Sequence, residues 1–315
     1  TASFDYAFHA GASVHTQPLD LEAGVSIVNQ DYNYVDGKTL ESLHLLLKQT
    51  SPAQWPDFIF VHLVGVDFAS HDAGPDANVV RQILKGLDQR LAPVFQSLNH
   101  GESSGRQVLA MLSSDHGFDL PQGKILRLEQ YLERTSPGVR VLDEGRYLGL
   151  SFPAHWEDSR RENLISSLSR IPDVDVAALK AGSRIAIRSH ALATDLYYLA
   201  GAACERRGFS VGIHHPASGP LLVPSLPAQC VDQMSVENRA LYHPYFLENI
   251  AHYFRATDVP DAIVVAKAGV GFNANYLGQH GGPAAREVLV PLLLHGIQLT
   301  NTQFVPALWE LLDFL

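Results

Sequence analysis

Positive charge is scarce in this chain. Its 315 residues carry 23 Lys and Arg against 33 Asp and Glu, a formal net charge of −10. Broad binding to nucleic-acid polymers needs a basic surface, so that class of partner is not expected. An anionic substrate would need local cationic help, which bound metal can supply. Cysteine is nearly missing as well. Cys204 and Cys230 can make one bridge at most, which is not a disulfide framework. No apolar run reaches the ~20 residues of a membrane span, so none is expected. Repeats, heptads and low-complexity segments are absent. The chain starts at Thr1 with no initiator Met and no signal-like segment. Processing removes such segments, so this start leaves the compartment open.

What is present is enough apolar content, 46%, for one sizeable core. The apolar spacing predicts helices over 39–47 and 77–98, the second with Val80, Ile83, Leu84, Leu87, Leu91 and Val94 on one face. Short apolar, β-branched runs predict strands over 58–66 and 108–112. Gly101 to Gly105 reads as a loop. Late in the chain, 245–254 and 304–315 read as helices, and 262–266 and 288–294 as strands, the latter irregular at Pro291. Strand–helix–strand alternation indicates an α/β fold with a mostly parallel sheet flanked by helices. Between about 140 and 250 the texture changes to Pro, Ser, Gly and His, with short strands over 147–152, 184–188 and 209–213. The expectation is one domain over 1–315, with its core in 1–139 and 251–315 and an inserted cap subdomain in 140–250.

Three of the local motifs carry chemistry. Asp67 and His71 stand four residues apart after the strand at 58–66; Asp115 and His116 follow the strand at 108–112; His280 lies in a glycine-rich loop after the strand at 262–266. Open α/β sheets bind ligands beyond the carboxyl ends of their strands. Carboxylate oxygen and imidazole nitrogen together suit Zn²⁺ and similar ions. Each motif also has an ordinary explanation. Asp67 could cap a helix beside a surface His71. Asp115-His116-Gly117 could be a turn. Gly278-Gln279-His280-Gly281-Gly282 could be a flexible loop. Their combination, each after a strand, favours a shared metal site.

The motifs resemble the alkaline phosphatase superfamily, in particular its type I phosphodiesterase/nucleotide pyrophosphatase branch. The D-x-x-x-H-x-x-G-P element is matched by Asp67-Phe68-Ala69-Ser70-His71-Asp72-Ala73-Gly74-Pro75. The S-D-H-G-[MF] element is matched by Ser114-Asp115-His116-Gly117-Phe118. The late G-x-H-G element is matched by Gly278-Gln279-His280-Gly281, followed by Val290-Pro291-Leu292 and Gly296. The resemblance covers roughly 36–125 and 255–300.

This resemblance implies a two-metal site. Asp67, His71 and His280 would hold one divalent ion, and Asp115 and His116 the second, with Zn²⁺ first and Mn²⁺ or Fe as alternatives. It implies a metal-dependent phosphoric-ester hydrolase acting on a small-molecule phosphate ester, in a periplasmic or secreted setting. In the family a further Asp and a Thr or Ser nucleophile come from the first strand. Thr1, Ser3 and Asp5 have no strand ahead of them, so the nucleophile is expected upstream of Thr1. Two alternatives follow: a catalytically degenerate metal- or ligand-binding relative, and a phosphomutase-type relative. Specificity is expected to lie in 140–250; the sequence leaves the oligomeric state open.

Overall fold

The computed structural model describes residues 2–4, 12–15, 25–26, 31–181, 184–189, 195–200, 209–214, 229–230, 249–250, 253–254 and 256–296. The helix expected over 304–315, most of that over 245–254, Thr1, Asp5 and the Cys204–Cys230 pairing lie outside them. The fold is mixed α/β and divides into two compact units, 1–114 with 291–304 and 115–290 with 305–315.

The first unit begins with β1 (Ala2–Phe4), which pairs in parallel with β2 (Val14–His15) and with β3 (Ile59–Val61). A segment that showed no clear period thus contributes a buried strand. Three helices follow in chain order: α1 (Tyr32–Gln49), α2 (Gly65–Ala73) and α3 (Asn78–Ser103). A second sheet pairs β4 (Ala110–Ser113) antiparallel with β13 (Leu292–His295). Leu40, Leu43 and Leu47 of α1 pack with Val80, Ile83, Leu87 and Val94 of α3 and with Phe4. Burying one such aliphatic side chain contributes roughly 1.5–3 kcal/mol. The expected face of α3 holds except at Leu84, which is 51% exposed. Helix α3 also runs through most of the expected 101–105 loop, with Pro93 inside it.

The strand expected over 58–66 is much shorter. Only Ile59–Val61 is extended, Phe58 is exposed, and the helix starts at Gly65. Asp67 and His71 therefore sit within a helix rather than on a strand-to-loop step.

The second unit is built on a sheet in the order β11-β10-β9-β8-β7-β12-β6-β5. Its strands are β5 (Arg140–Asp143), β6 (Tyr147–Ser151), β7 (Val174–Ala181), β8 (Arg184–Ser189), β9 (Asp195–Ala200), β10 (Phe209–His214), β11 (Gln229–Cys230) and β12 (Ala262–Ala266). Every pairing in it is antiparallel. The mostly parallel sheet expected from the sequence is therefore corrected: among the described strands only the pairs made by β1 are parallel. The cause is short connections. Strands β7 to β10 run consecutively and turn back on one another, which permits only antiparallel neighbours, since parallel pairs need long crossovers. Strand β12 returns from far along the chain and enters between β6 and β7. It is buried at all five positions, as its unbroken apolar sequence requires. Helices α4 (Leu128–Thr135) and α5 (Asp158–Leu168) contribute Leu128, Leu132, Ile165 and Leu168 to the same core. The run at 288–294, read as one strand, is a helical turn α6 (Ala285–Val288) and then β13 after Pro291. No helix among the described residues is long and apolar enough to cross a membrane.

Gly101 shows how tightly the first unit is packed. A Cβ there would stand 2.3 Å from the Trp55 ring, whose Nε1 is held by the Leu47 carbonyl at 3.1 Å. Gly101→Ala gains helix propensity but overpacks a rigid, anchored ring. The expected outcome is a loss of about 1–3 kcal/mol, read as a lower urea midpoint at unchanged slope. An unchanged midpoint would show that the ring yields without cost.

Candidate metal centre

In the first unit the two candidate ligands ride on α2. That helix has no side-chain cap of its own at Val64. Asp36, from the middle of α1 and fully buried, fills the role instead. Its carboxylate accepts from Val64 N–H at 2.8 Å and from Gly65 N–H at 3.0 and 3.2 Å. A carboxylate at a helix N-terminus satisfies otherwise unpaired donors and complements the helix dipole. Asp67 is thus not the cap. It lies in the first turn, and His71 follows one turn later on the same face. The His71 Nε2 and Asp67 Oδ1 atoms are 3.6 Å apart. The His71 side chain is 17% exposed, which does not fit a solvated surface histidine. Gly74, at φ 87°, ends the helix with its N–H on the Ser70 carbonyl. Burial raises the Asp36 carboxyl above its ordinary 3.8, outweighing the two N–H groups, Arg90 and His62.

In the second unit, two loops bring His116 and His280 face to face. Their rings stack with centroids 3.6 Å apart and planes inclined by 15°. Phe118 meets both rings edge-on, at 5.4 and 5.2 Å. His116 Nδ1 lies 3.1 Å from the Gly117 carbonyl. A carbonyl only accepts, so Nδ1 carries a proton in this contact. A hydrogen bond of this kind orients the ring of metal-bound histidines. The Nε2 atom lies 3.5 Å from Asp115 Oδ2. Carboxylate oxygen and imidazole nitrogen, the donor types of Asp115, His116 and His280, suit a borderline divalent ion such as Zn²⁺.

The two loops are tied together by backbone. Asp119 N–H donates to the Gln279 carbonyl at 2.7 Å, and Gln279 N–H returns to Asp119 at 2.9 Å. Gly117 N–H donates to the Glu287 carbonyl at 2.6 Å, and Arg146 N–H to the His280 carbonyl at 3.2 Å. Gly117 has to be glycine, because a Cβ would stand 2.1 Å from the Arg286 carbonyl. These two loops are thus tied to each other by hydrogen bonds, which does not fit the ordinary alternative of a flexible loop at 278–282.

Asp67 and His71 belong to the first unit, and Asp115, His116 and His280 to the second. Several contributing residues carried no signal in the sequence. Asp36 lies outside the helix expected over 39–47, and no motif includes Arg146, Asp119 or Glu287, although all four are buried. Phe118 was visible only as the last residue of its motif.

A family model for type I phosphodiesterase/nucleotide pyrophosphatase matches residues 24–287, a stretch that contains all five candidate ligands. No curated protein matches the chain.

Removing the Asp36 cap should be measurable. Asp36→Ala leaves the Val64 and Gly65 N–H groups without an acceptor and is expected to cost about 1–3 kcal/mol. Asp36→Asn keeps an acceptor oxygen and should cost less. The sign of the pH effect follows from the raised folded-state value. Folding favours the protonated carboxyl, so this contribution is complete below the unfolded value and lost as pH rises through the folded one. Wild type should therefore lose stability relative to Asp36→Asn between about pH 4 and about pH 7. Urea unfolding at both pH values checks this; a constant difference contradicts it.

Proposed function

The chain belongs to the type I phosphodiesterase/nucleotide pyrophosphatase family, within the alkaline phosphatase superfamily, and from that premise we propose that it is a metal-dependent phosphoric-ester hydrolase acting on a small-molecule phosphate ester. The family is hydrolytic and typically metal-dependent. The observation that supports it is the His116–His280 stack, with the His116 ring oriented by the contact of its Nδ1 with the Gly117 carbonyl. We assign Asp67, His71 and His280 to one divalent ion, and Asp115 and His116 to a second, with Zn²⁺ first and Mn²⁺ or Fe as alternatives. This two-ion division, the metal's identity and the role of 140–250 in substrate choice all belong to the proposal.

When bound, the ions supply Lewis-acid activation of the attacking oxygen and charge neutralisation at the leaving oxygen. The chain's own residues supply position. Asp36 sets where α2 begins, and hence where Asp67 and His71 point. The Gly117 carbonyl orients the His116 ring through Nδ1. Phe118 packs edge-on against both rings and limits their tilt. The glycines at 117, 281 and 282 allow backbone to approach where a side chain would block it. None of the five ligands is itself a nucleophile; a hydroxyl side chain has that role in the family, and it is assigned to none of the described residues.

The assignment predicts that His280→Ala keeps its fold and binds one ion at least ~100-fold more weakly, more than a lost outer-shell partner costs. Asp115→Asn should weaken the other ion. Elemental analysis after dialysis reads both effects. Unchanged metal content in His280→Ala would sink the ligand assignment. Chelator treatment should abolish hydrolysis of p-nitrophenyl mono- and diesters, and restored Zn²⁺ should return it. Activity that persists without metal would remove the metal-dependent reading.

A further inference from the structure

Arg146 is charged and has no exposed surface. It stands at the start of β6, and its guanidinium is surrounded by acceptors. Nε and Nη2 donate to the two carboxylate oxygens of Glu287, at 3.2 and 3.1 Å. Nη1 donates to the Lys267 and Val270 carbonyls and lies 3.2 Å from Asp119 Oδ2. The partners are themselves committed. Glu287 Oε1 accepts from Gly282 N–H at 2.7 Å, and Asp119 Oδ2 accepts from Gly269 N–H at 2.6 Å.

The positions of these partners along the chain matter. Asp119 is three residues after His116, and Gly282 is two residues after His280. The Glu287 backbone carbonyl also holds Gly117, and the Arg146 backbone N–H holds His280. Each histidine loop is therefore gripped on both its backbone and its flank by one ion pair. Gly282 has no room for a side chain, since a Cβ would stand 2.7 Å from both Arg146 Nη2 and Glu287 Oε2. The packing of the loop and the pair is one arrangement.

We propose that the Arg146–Glu287 pair, with Asp119, is a positioning device: it fixes His116 and His280 in stacked contact and thereby sets the affinity of the metal centre. The metal arm rests on the function proposed above; the positioning arm does not. The pair reaches the histidine loops through backbone and through Asp119, so these are positioning residues. A bidentate guanidinium–carboxylate pair is well suited to the task, because its two parallel bonds fix orientation as well as distance. Lysine offers a point charge without that fork.

The test uses the intact chain with labelled histidine. In wild type, mutual ring currents should move the His116 and His280 ring resonances away from ordinary values. Two variants are compared, Arg146→Lys and the apolar double variant Arg146→Met/Glu287→Leu. The second removes both charges together, which buried pairs often tolerate. Both are expected to fold, to lose the ring-current shifts, and to bind Zn²⁺ about 10–100-fold more weakly in a chelator competition. Gly101→Ala, whose defect is in the other unit, should leave the ring resonances in place. Wild-type ring shifts in either folded variant overturn the proposal, and so does an equal displacement in Gly101→Ala. If the double variant does not fold, Arg146→Lys decides alone. If wild type binds no Zn²⁺ while the variants still lose the stack, the positioning role stands and the metal-centre reading fails.

Discussion

A guanidinium without access to water must have its donors met by protein, and that requirement organises the second unit. Arg146 meets it with one carboxylate taken bidentately, a second carboxylate and two carbonyls. Those acceptors come from three separate stretches of chain: Asp119, the turn from Lys267 to Val270, and Glu287. Moving any one away would strand part of a buried charge, which costs several kcal/mol. The stretches are thus held by the penalty for leaving as much as by attraction. Burial still raises the Glu287 carboxyl above its ordinary value, even against the pull of Arg146. The pair is an expensive element by stability alone, which is a reason to look for a role in placement.

The first unit solves a similar problem without an ion pair. Helix α2 has nine residues, too short to be stable by propensity alone. Its start is fixed by two N–H groups on a buried carboxyl from α1. Its end is fixed by Gly74 in a conformation that a side chain would strain. Between these stops, Asp67 and His71 have no freedom of register. In both units, then, the candidate ligands stand on short elements whose position is set by a buried charged residue from elsewhere in the sequence.

This division explains what could be read from the chain and what could not. The candidate motifs were legible as residue types, carboxylate and imidazole beside glycine; the helix that carries Asp67 and His71 was not, because the run before it reads as a strand as far as Val66. Two helices were legible over 39–47 and 77–98 through their apolar period, the first well short of the observed 32–49. The supporting charges were not legible. Asp36, Asp119, Arg146 and Glu287 look like surface residues until their partners, between 28 and 150 residues away, are known. Sheet direction was misread for a related reason. Strands such as Val174–Ala181 and Arg184–Ser189 are joined by a short connection, and that connection decides antiparallel pairing. The apolar alternation within each strand carries no such information.

The stacking of the two histidines also bears on how accurately their loops must be placed. An imidazole lone pair lies in the plane of its ring, and the two planes are inclined by only 15° with centroids 3.6 Å apart. A nitrogen ligand must stand about 2.0–2.1 Å from its ion, a tolerance much finer than the spacing of the rings. The same geometry makes the centre sensitive to small errors, since a slip of one loop past the other shifts both lone pairs at once. A buried, doubly anchored guanidinium between the loops is the kind of restraint such a pair of rings requires.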